Sequence, residues 1–306
     1  MTAIEIDGVT KRFGDVVAVR DLSLDVESGE VFGFLGPNGA GKSTTINMLL
    51  DFVRPTEGEI RVLGRDVHDE SVAVRQHLGV LPEGFSTYDR LTGRQHLEFA
   101  IESKGSDDDP DAILERVGLD DAGDRTAGGY SKGMAQRLVL GMALVGDPDL
   151  LILDEPSTGL DPNGARRMRD IVREEADRGA TVFFSSHILG QVESVCDRVG
   201  ILRDGELVAE DSIEGLREAT SADTVLRIDA DGVTDDALAA VRGIEGVSEV
   251  SDSDEALRVS CQSDVKTTVL STLEDAGVDV RDFETEEASL EDLFVAYTTD
   301  GREVEA

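Results

Sequence analysis

Gly36-Pro37-Asn38-Gly39-Ala40-Gly41-Lys42-Ser43 fits the phosphate-binding template G-x-x-x-x-G-K-[ST] at every fixed position. Glycines let such a loop curl with its backbone N–H groups turned inward, where side chains would obstruct. A helix opening at Thr44 adds its unpaired N–H groups and the positive end of its dipole. Lys42 is expected to reach the β- and γ-phosphates of a nucleotide, and the Ser43 hydroxyl to hold Mg²⁺. A second stretch, Leu150-Leu151-Ile152-Leu153-Asp154-Glu155, sets two carboxylates at the end of an apolar run. Asp154 is suited to Mg²⁺ on the γ-phosphate side, directly or through water. Glu155, one residue beyond, is suited to polarise an attacking water. His187 follows a third apolar run, a position from which an imidazole can reach a γ-phosphate, although a lone histidine is more often structural. His68, His77 and His96 have no such context.

These residues need strands and helices to converge. Val31 to Leu35 reads as a buried strand before the loop and Thr44 to Phe52 as the helix after it. Leu150 to Leu153 reads as a fully apolar strand, suited to the centre of a parallel sheet, and Thr181 to Phe184 as another buried strand. Asp161-Pro162 opens a helix running to about Arg178, and His187 to Cys196 reads as another. Strands alternating with helices imply a doubly wound α/β core with its chemistry at the carboxyl ends of the strands. Upstream, Ala3 to Val9 alternates as a strand, Thr10 to Gly14 reads as a turn, and Val16 to Val26 as a strand pair. Leu78 to Leu81 is a strand ending at Pro82-Glu83-Gly84, and a helix-rich stretch follows to about Gly146. Within it, Thr92 to Gln95 has capping-box spacing, and Asp109 before Pro110 is a helix start. From Thr224 the order β-α-β-β-α-β suggests a small ferredoxin-like domain, closed by an amphipathic helix from Ser289 to Tyr297.

Composition narrows the setting. The 306 residues carry 29 basic against 65 acidic side chains, a net charge of −36, spread along the whole chain. That argues against a nucleic-acid partner, since duplex binding requires a basic stripe. It equally argues against a polybasic lipid-binding patch. Dense carboxylates of this kind suit a protein adapted to high salt, where their repulsion is screened. No stretch approaches the length of a membrane helix, and the N-terminus lacks a secretory pattern, so a cytosolic location is expected. Cys196 and Cys261 form no C-x-x-C and read as reduced, partly buried thiols.

The constellation resembles the ATP-binding cassette (ABC) proteins. Tyr130-Ser131-Lys132-Gly133-Met134-Ala135-Gln136-Arg137 is similar to that family's signature, L-S-G-G-Q-x-Q-R, and precedes Asp154-Glu155-Pro156-Ser157-Thr158-Gly159-Leu160-Asp161, similar to its magnesium strand and D-loop. His187 stands at the switch histidine and Phe13 at the aromatic that stacks on adenine. The resemblance covers about residues 3–215. It implies a P-loop NTPase core over residues 1–219, with a helical subdomain at about 85–146, and an accessory α+β domain over 220–306. It further implies ATP and Mg²⁺ as ligands and a second copy arranged head to tail, each ATP lying between one chain's phosphate loop and the other's Ser131 and Gly133. Separately encoded membrane permease subunits on the cytosolic face of the membrane would complete the machine. Lys132, Met134 and Tyr130 depart from the usual signature and resemble the branch serving compact export-type permeases. Glu83 replaces a frequent glutamine; as an acceptor only, it keeps a metal contact while changing its hydrogen bonding. The C-terminal Ser289-Leu290-Glu291-Asp292-Leu293-Phe294 resembles a motif of the same branch, with dimer contact and regulation both open as its role. The alternative is a soluble cassette machine of translation or DNA repair. It is disfavoured by the single cassette, the acidic surface and the lack of sustained heptads between Gly36 and Ser131.

Overall fold

Strands with no polar face build the centre of the molecule. In a computed structural model, residues 1–219, 224–252, 257–262 and 265–286 are described. The chain divides into two compact units, Met1–Ser212 and Ile213–Ala306.

The first unit opens with a long hairpin, β1 (Thr2–Phe13) and β2 (Val16–Glu27). It is extended by β3 (Val31–Leu35), α1 (Lys42–Leu49), β4 (Glu57–Val62), β5 (Arg65–Asp66), α2 (Ser71–Gln76) and β6 (Leu78–Leu81). Next come α3 (Gly93–Lys104), α4 (Pro110–Arg116), α5 (Lys132–Leu144), β7 (Leu150–Asp154) and α6 (Pro162–Asp177). The unit closes with β8 (Thr181–Ser186), α7 (Leu189–Glu193), β9 (Arg198–Arg203) and β10 (Glu206–Ser212). One sheet is antiparallel, in the order β2-β1-β4-β5; the other runs β10-β9-β3-β8-β7-β6, parallel from β9 to β6 with β10 antiparallel at its edge. β3, β7 and β8 are buried at every position, the polar ends of β7 and β8 included.

One face of the parallel sheet packs on α1 and on the antiparallel sheet. Phe32, Phe34 and Phe183 share a core with Ile46 and Met48 of α1 and with Ile4, Leu24 and Ile60. Each such side chain contributes roughly 1.5–3 kcal/mol by leaving water. α5 packs on β6, and α6 and α7 on β8. The expected doubly wound core is thus corrected: an antiparallel sheet takes the place of helices over part of one face. The turn expected over Thr10 to Gly14 and the strand pair over Val16 to Val26 are also corrected. β1 runs on to Phe13, which pairs with Val16, and β2 is one strand. Register shifts at several bulges, with Gly8 and Asp21 at positive φ, break the alternation that a regular strand would show.

In the second unit, α8 (Ile213–Ala219) precedes β11 (Thr224–Asp231), α9 (Asp235–Arg242), β12 (Val247–Asp252), β13 (Leu257–Cys261), α10 (Lys266–Asp275) and β14 (Asp279–Glu286). The sheet order β12-β13-β11-β14 is antiparallel throughout, the arrangement of a ferredoxin-like β-α-β-β-α-β fold. Leu226, Ile228, Leu257 and Val259 face Ala237, Val241, Val269 and Leu273 from the two helices. The helix expected from Ser289 to Tyr297 lies outside the described residues. Among the described residues, no helix is long and apolar enough to cross a membrane.

Candidate nucleotide site

The register of the parallel sheet brings three strand ends together. Leu35 pairs with Ser186, and Asp154 with Ser185. Gly36, Glu155 and His187, the next residues along, therefore leave the sheet side by side. β8 lies between β3 and β7, so the histidine's strand separates the phosphate loop from the carboxylates.

The loop closes onto α1 through Gly41, which sits at φ 109° with its α-carbon against β2; a Cβ there would lie 2.6 Å from the Ala18 carbonyl oxygen. Only glycine meets both demands. No side chain caps the start of α1. The Lys42 ammonium is buried and donates to the Gly36 carbonyl at 2.7 Å and to that of Pro37 at 3.4 Å. Burial lowers its pKa, while Glu155, Asp154 and Glu83 pull in the other direction. Ala40 N–H donates to the Pro37 carbonyl at 3.1 Å, which tightens the turn. Asn38, Gly39, Gly41, Lys42, Ser43 and Thr44 line a cavity of about 290 Å³ with Glu83, Asp154 and Glu155.

The two carboxylates differ in setting. Asp154 is buried and accepts from the Ser185 hydroxyl at 2.8 Å. Burial raises its pKa; Ser185 and Lys42 oppose this, and Glu83 and Glu155 reinforce it. Glu155 is 6 % exposed and takes a left-handed φ of 49°. Its N–H donates to the Ser185 carbonyl at 3.1 Å. Its Oε1 lies 2.8 Å from His187 Nδ1, while Oε2 is buried without a hydrogen-bond partner. Such an orphaned acceptor marks where a donor belongs. A second cavity, about 420 Å³, shares Glu83, Asp154 and Glu155 as its wall and continues past Phe85, Lys132 and Gln136. The donor set suits a magnesium ion, which prefers one or two carboxylates or hydroxyls and completes its shell with phosphate and water.

The structure thus gathers the loop, Glu83, Asp154, Glu155 and His187. Phe13, Ser131 and Gly133 stand apart. Phe13 is 50 % exposed at the end of β1, with the Lys11 ammonium 4.9 Å from its ring centroid. Ser131 caps α5, accepting from Met134 N–H at 3.2 Å. Gly133 packs against the loop after β7, where a Cβ would lie 2.9 Å from the Gly159 carbonyl oxygen. Neither Ser131 nor Gly133 lines the cavity at the phosphate loop. His187 precedes α7, which spans only Leu189–Glu193, shorter than the helix expected from His187 to Cys196. Its start is set by Ile188 N–H donating to the Ser186 hydroxyl at 3.0 Å. Sequence reasoning missed Ser185 and Ala18. A signal existed for the first: two serines after an apolar run, on a strand still buried at both.

A phosphate loop with a buried lysine, facing paired carboxylates and a histidine across a parallel sheet, defines a P-loop ATPase. A family model described as "ABC transporter" matches residues 19–158, and one for the C-terminal domain of DrrA1-3-like ATP-binding proteins matches 212–298. The daunorubicin resistance ATP-binding protein DrrA3 of Streptomyces coeruleorubidus is 35% identical over 309 residues, covering 99% of this chain and 98% of that protein. The bacitracin transport ATP-binding protein BcrA of Bacillus licheniformis is 39% identical over 223 residues, 71% of this chain and 72% of that one. Among solved structures, an ATP-binding subunit of an ABC transporter superposes with a TM-score of 0.67 at 28% identity, over 72% of this chain and 93% of that one. The chain belongs to the ABC transporter ATP-binding proteins, a family of ATPases with exporter members.

Proposed function

We propose that this chain hydrolyses ATP to drive export through a separately encoded membrane permease, two copies closing head to tail around the nucleotide. The observation that carries the reading is the Glu155 carboxylate, held by His187 through one oxygen and unpartnered at the other, on the cavity shared with Lys42. Gly36 to Thr44 cradle the triphosphate, and Lys42 exchanges its carbonyl partners for phosphate oxygens. Phe13 offers its exposed ring to the adenine. Ser43, Glu83 and Asp154 would hold Mg²⁺, which when bound neutralises charge on the phosphates. Glu155 takes a proton from water as the water oxygen bonds to the γ-phosphorus. The bond from that phosphorus to the β–γ bridging oxygen breaks, and ADP leaves. His187 holds the carboxylate in line and is itself a donor toward the transferred phosphoryl group. Ser131 and Gly133, at the start of α5, contact the γ-phosphate bound by the partner copy. The assembly works as a peripheral complex on the cytosolic face of the membrane, without nucleic acid. The relatives named for daunorubicin resistance and bacitracin transport support export. The acidic surface supports a halophilic setting.

The test is ATP turnover in Glu155→Gln and His187→Ala. Both are expected to lose on the order of 10²-fold or more in kcat while ATP still binds. Undiminished turnover in Glu155→Gln removes the carboxylate from its role. Export coupling is checked separately: deleting the permease should strip the chain from washed membranes, and its retention there counts against a permease partner.

A further inference from the structure

Gln136 has no task in this reading, yet it is 3 % exposed and its amide is spent inside the protein. Its Nε2 donates to the Pro156 carbonyl oxygen at 2.9 Å, from α5 to the loop after β7. Pro156 is buried and follows Glu155 directly. Proline has no N–H, so that carbonyl is its one backbone hydrogen-bonding group. Through its nitrogen the same proline is bonded directly to a glutamate at φ 49°, a conformation residues other than glycine rarely take. Around it, Glu155 N–H donates to Ser185, Thr158 N–H donates to the Glu155 carbonyl at 3.1 Å, and the Ser157 hydroxyl bonds Gln191. Gln136 supplies the one side-chain bond from α5 to this turn among the described residues. Without it the buried carbonyl must turn to find another donor, and the glutamate turns with it.

We infer that Gln136 is a positioning residue for Glu155: its amide fixes the Pro156 peptide, so the start of α5 and the carboxylate move as one piece. The inference rests on the reading of Glu155 as the base. The helix that carries Ser131 and Gly133 thereby also sets the geometry of the chain's own carboxylate.

The test compares steady-state Mg-ATP hydrolysis of the full chain in wild type, Gln136→Leu, Gln136→Glu and Glu155→Gln. Gln136→Leu removes the donor at similar volume. It should lower kcat on the order of 10²-fold, with KM for ATP within about twofold. Gln136→Glu accepts but cannot donate while ionised. Its kcat relative to wild type should rise as pH falls from about 8 to about 6, because a buried carboxyl regains a proton there and donates again. A wild-type kcat in Gln136→Leu, or a kcat loss matched by an equal change in KM, overturns the inference. So does a relative rate of Gln136→Glu that is flat with pH. Should Gln136→Leu not fold, the pH profile of Gln136→Glu decides alone. Full turnover in Glu155→Gln instead defeats the parent reading. An inactive Glu155→Gln beside a fully active Gln136→Leu defeats only the positioning role.

Discussion

Asp154 is a carboxylate kept where the fold alone would not keep it. Burial is the largest influence on it and raises its pKa, despite the Ser185 hydroxyl and nearby Lys42. A carboxyl whose folded pKa is raised binds its proton more tightly in the folded state. Its contribution to stability is therefore fullest below the ordinary carboxylate range and is lost as pH rises through the folded value. Once ionised, Asp154 stabilises the fold less than its protonated form does. Asp154→Asn keeps the shape and the bond to Ser185 without the charge. Thermal unfolding of the nucleotide-free variant at pH 7 should show a Tm higher by about 2–4 °C, for about 1 kcal/mol gained. That gain should shrink as pH falls, and hydrolysis should be lost. A Tm below wild type at pH 7 contradicts the assignment. Lys42 carries the mirror-image cost, since burial lowers its pKa. Phosphate would relieve the lysine, and a bound cation the carboxylate.

At the scale of elements, local chemistry was legible and pairing was not. Thr92 forms the expected capping box: its hydroxyl accepts from Gln95 N–H at 3.2 Å, and its own N–H donates to Gln95 Oε1 at 2.9 Å. Thr92→Ala should cost about 1 kcal/mol. Differential scanning calorimetry should record this as a Tm drop of about 2–4 °C, and an unchanged Tm would count against the cap. The phosphate loop, the strand before it and the cap of α4 at Asp109 were readable for the same reason: each is fixed by residues within a few positions. The strand order was not, because β3 sits beside β8 only through a parallel register between residues about 150 positions apart. Nothing in either run names its neighbour. The ends of β8 and α7 were misjudged because Ser185 and Ser186 look like the start of a loop. The strand in fact carries them buried, one holding Asp154 and the other starting the next turn. β1 and β2 hid their length behind bulges.

At the scale of the molecule, 65 acidic side chains against 29 basic ones set the balance. Exposed ion pairs such as Arg20–Glu206 weaken with salt and are worth little singly. On the proposed halophilic reading, repulsion among the many carboxylates outweighs them. Raising KCl from about 0.1 to about 1 M shortens the screening length from about 10 to about 3 Å. Tm should climb across that range, and a flat or falling Tm would contradict adaptation to salt. If two copies pair as proposed, the same charge would repel them at low ionic strength, so their assembly is to be sought in concentrated KCl. There, sedimentation velocity of Glu155→Gln with Mg-ATP addresses the central claim most directly. The account predicts a monomer without nucleotide, a stable dimer with ATP, and a monomer again with ADP. A sedimentation coefficient indifferent to ATP, with nucleotide bound, would contradict it.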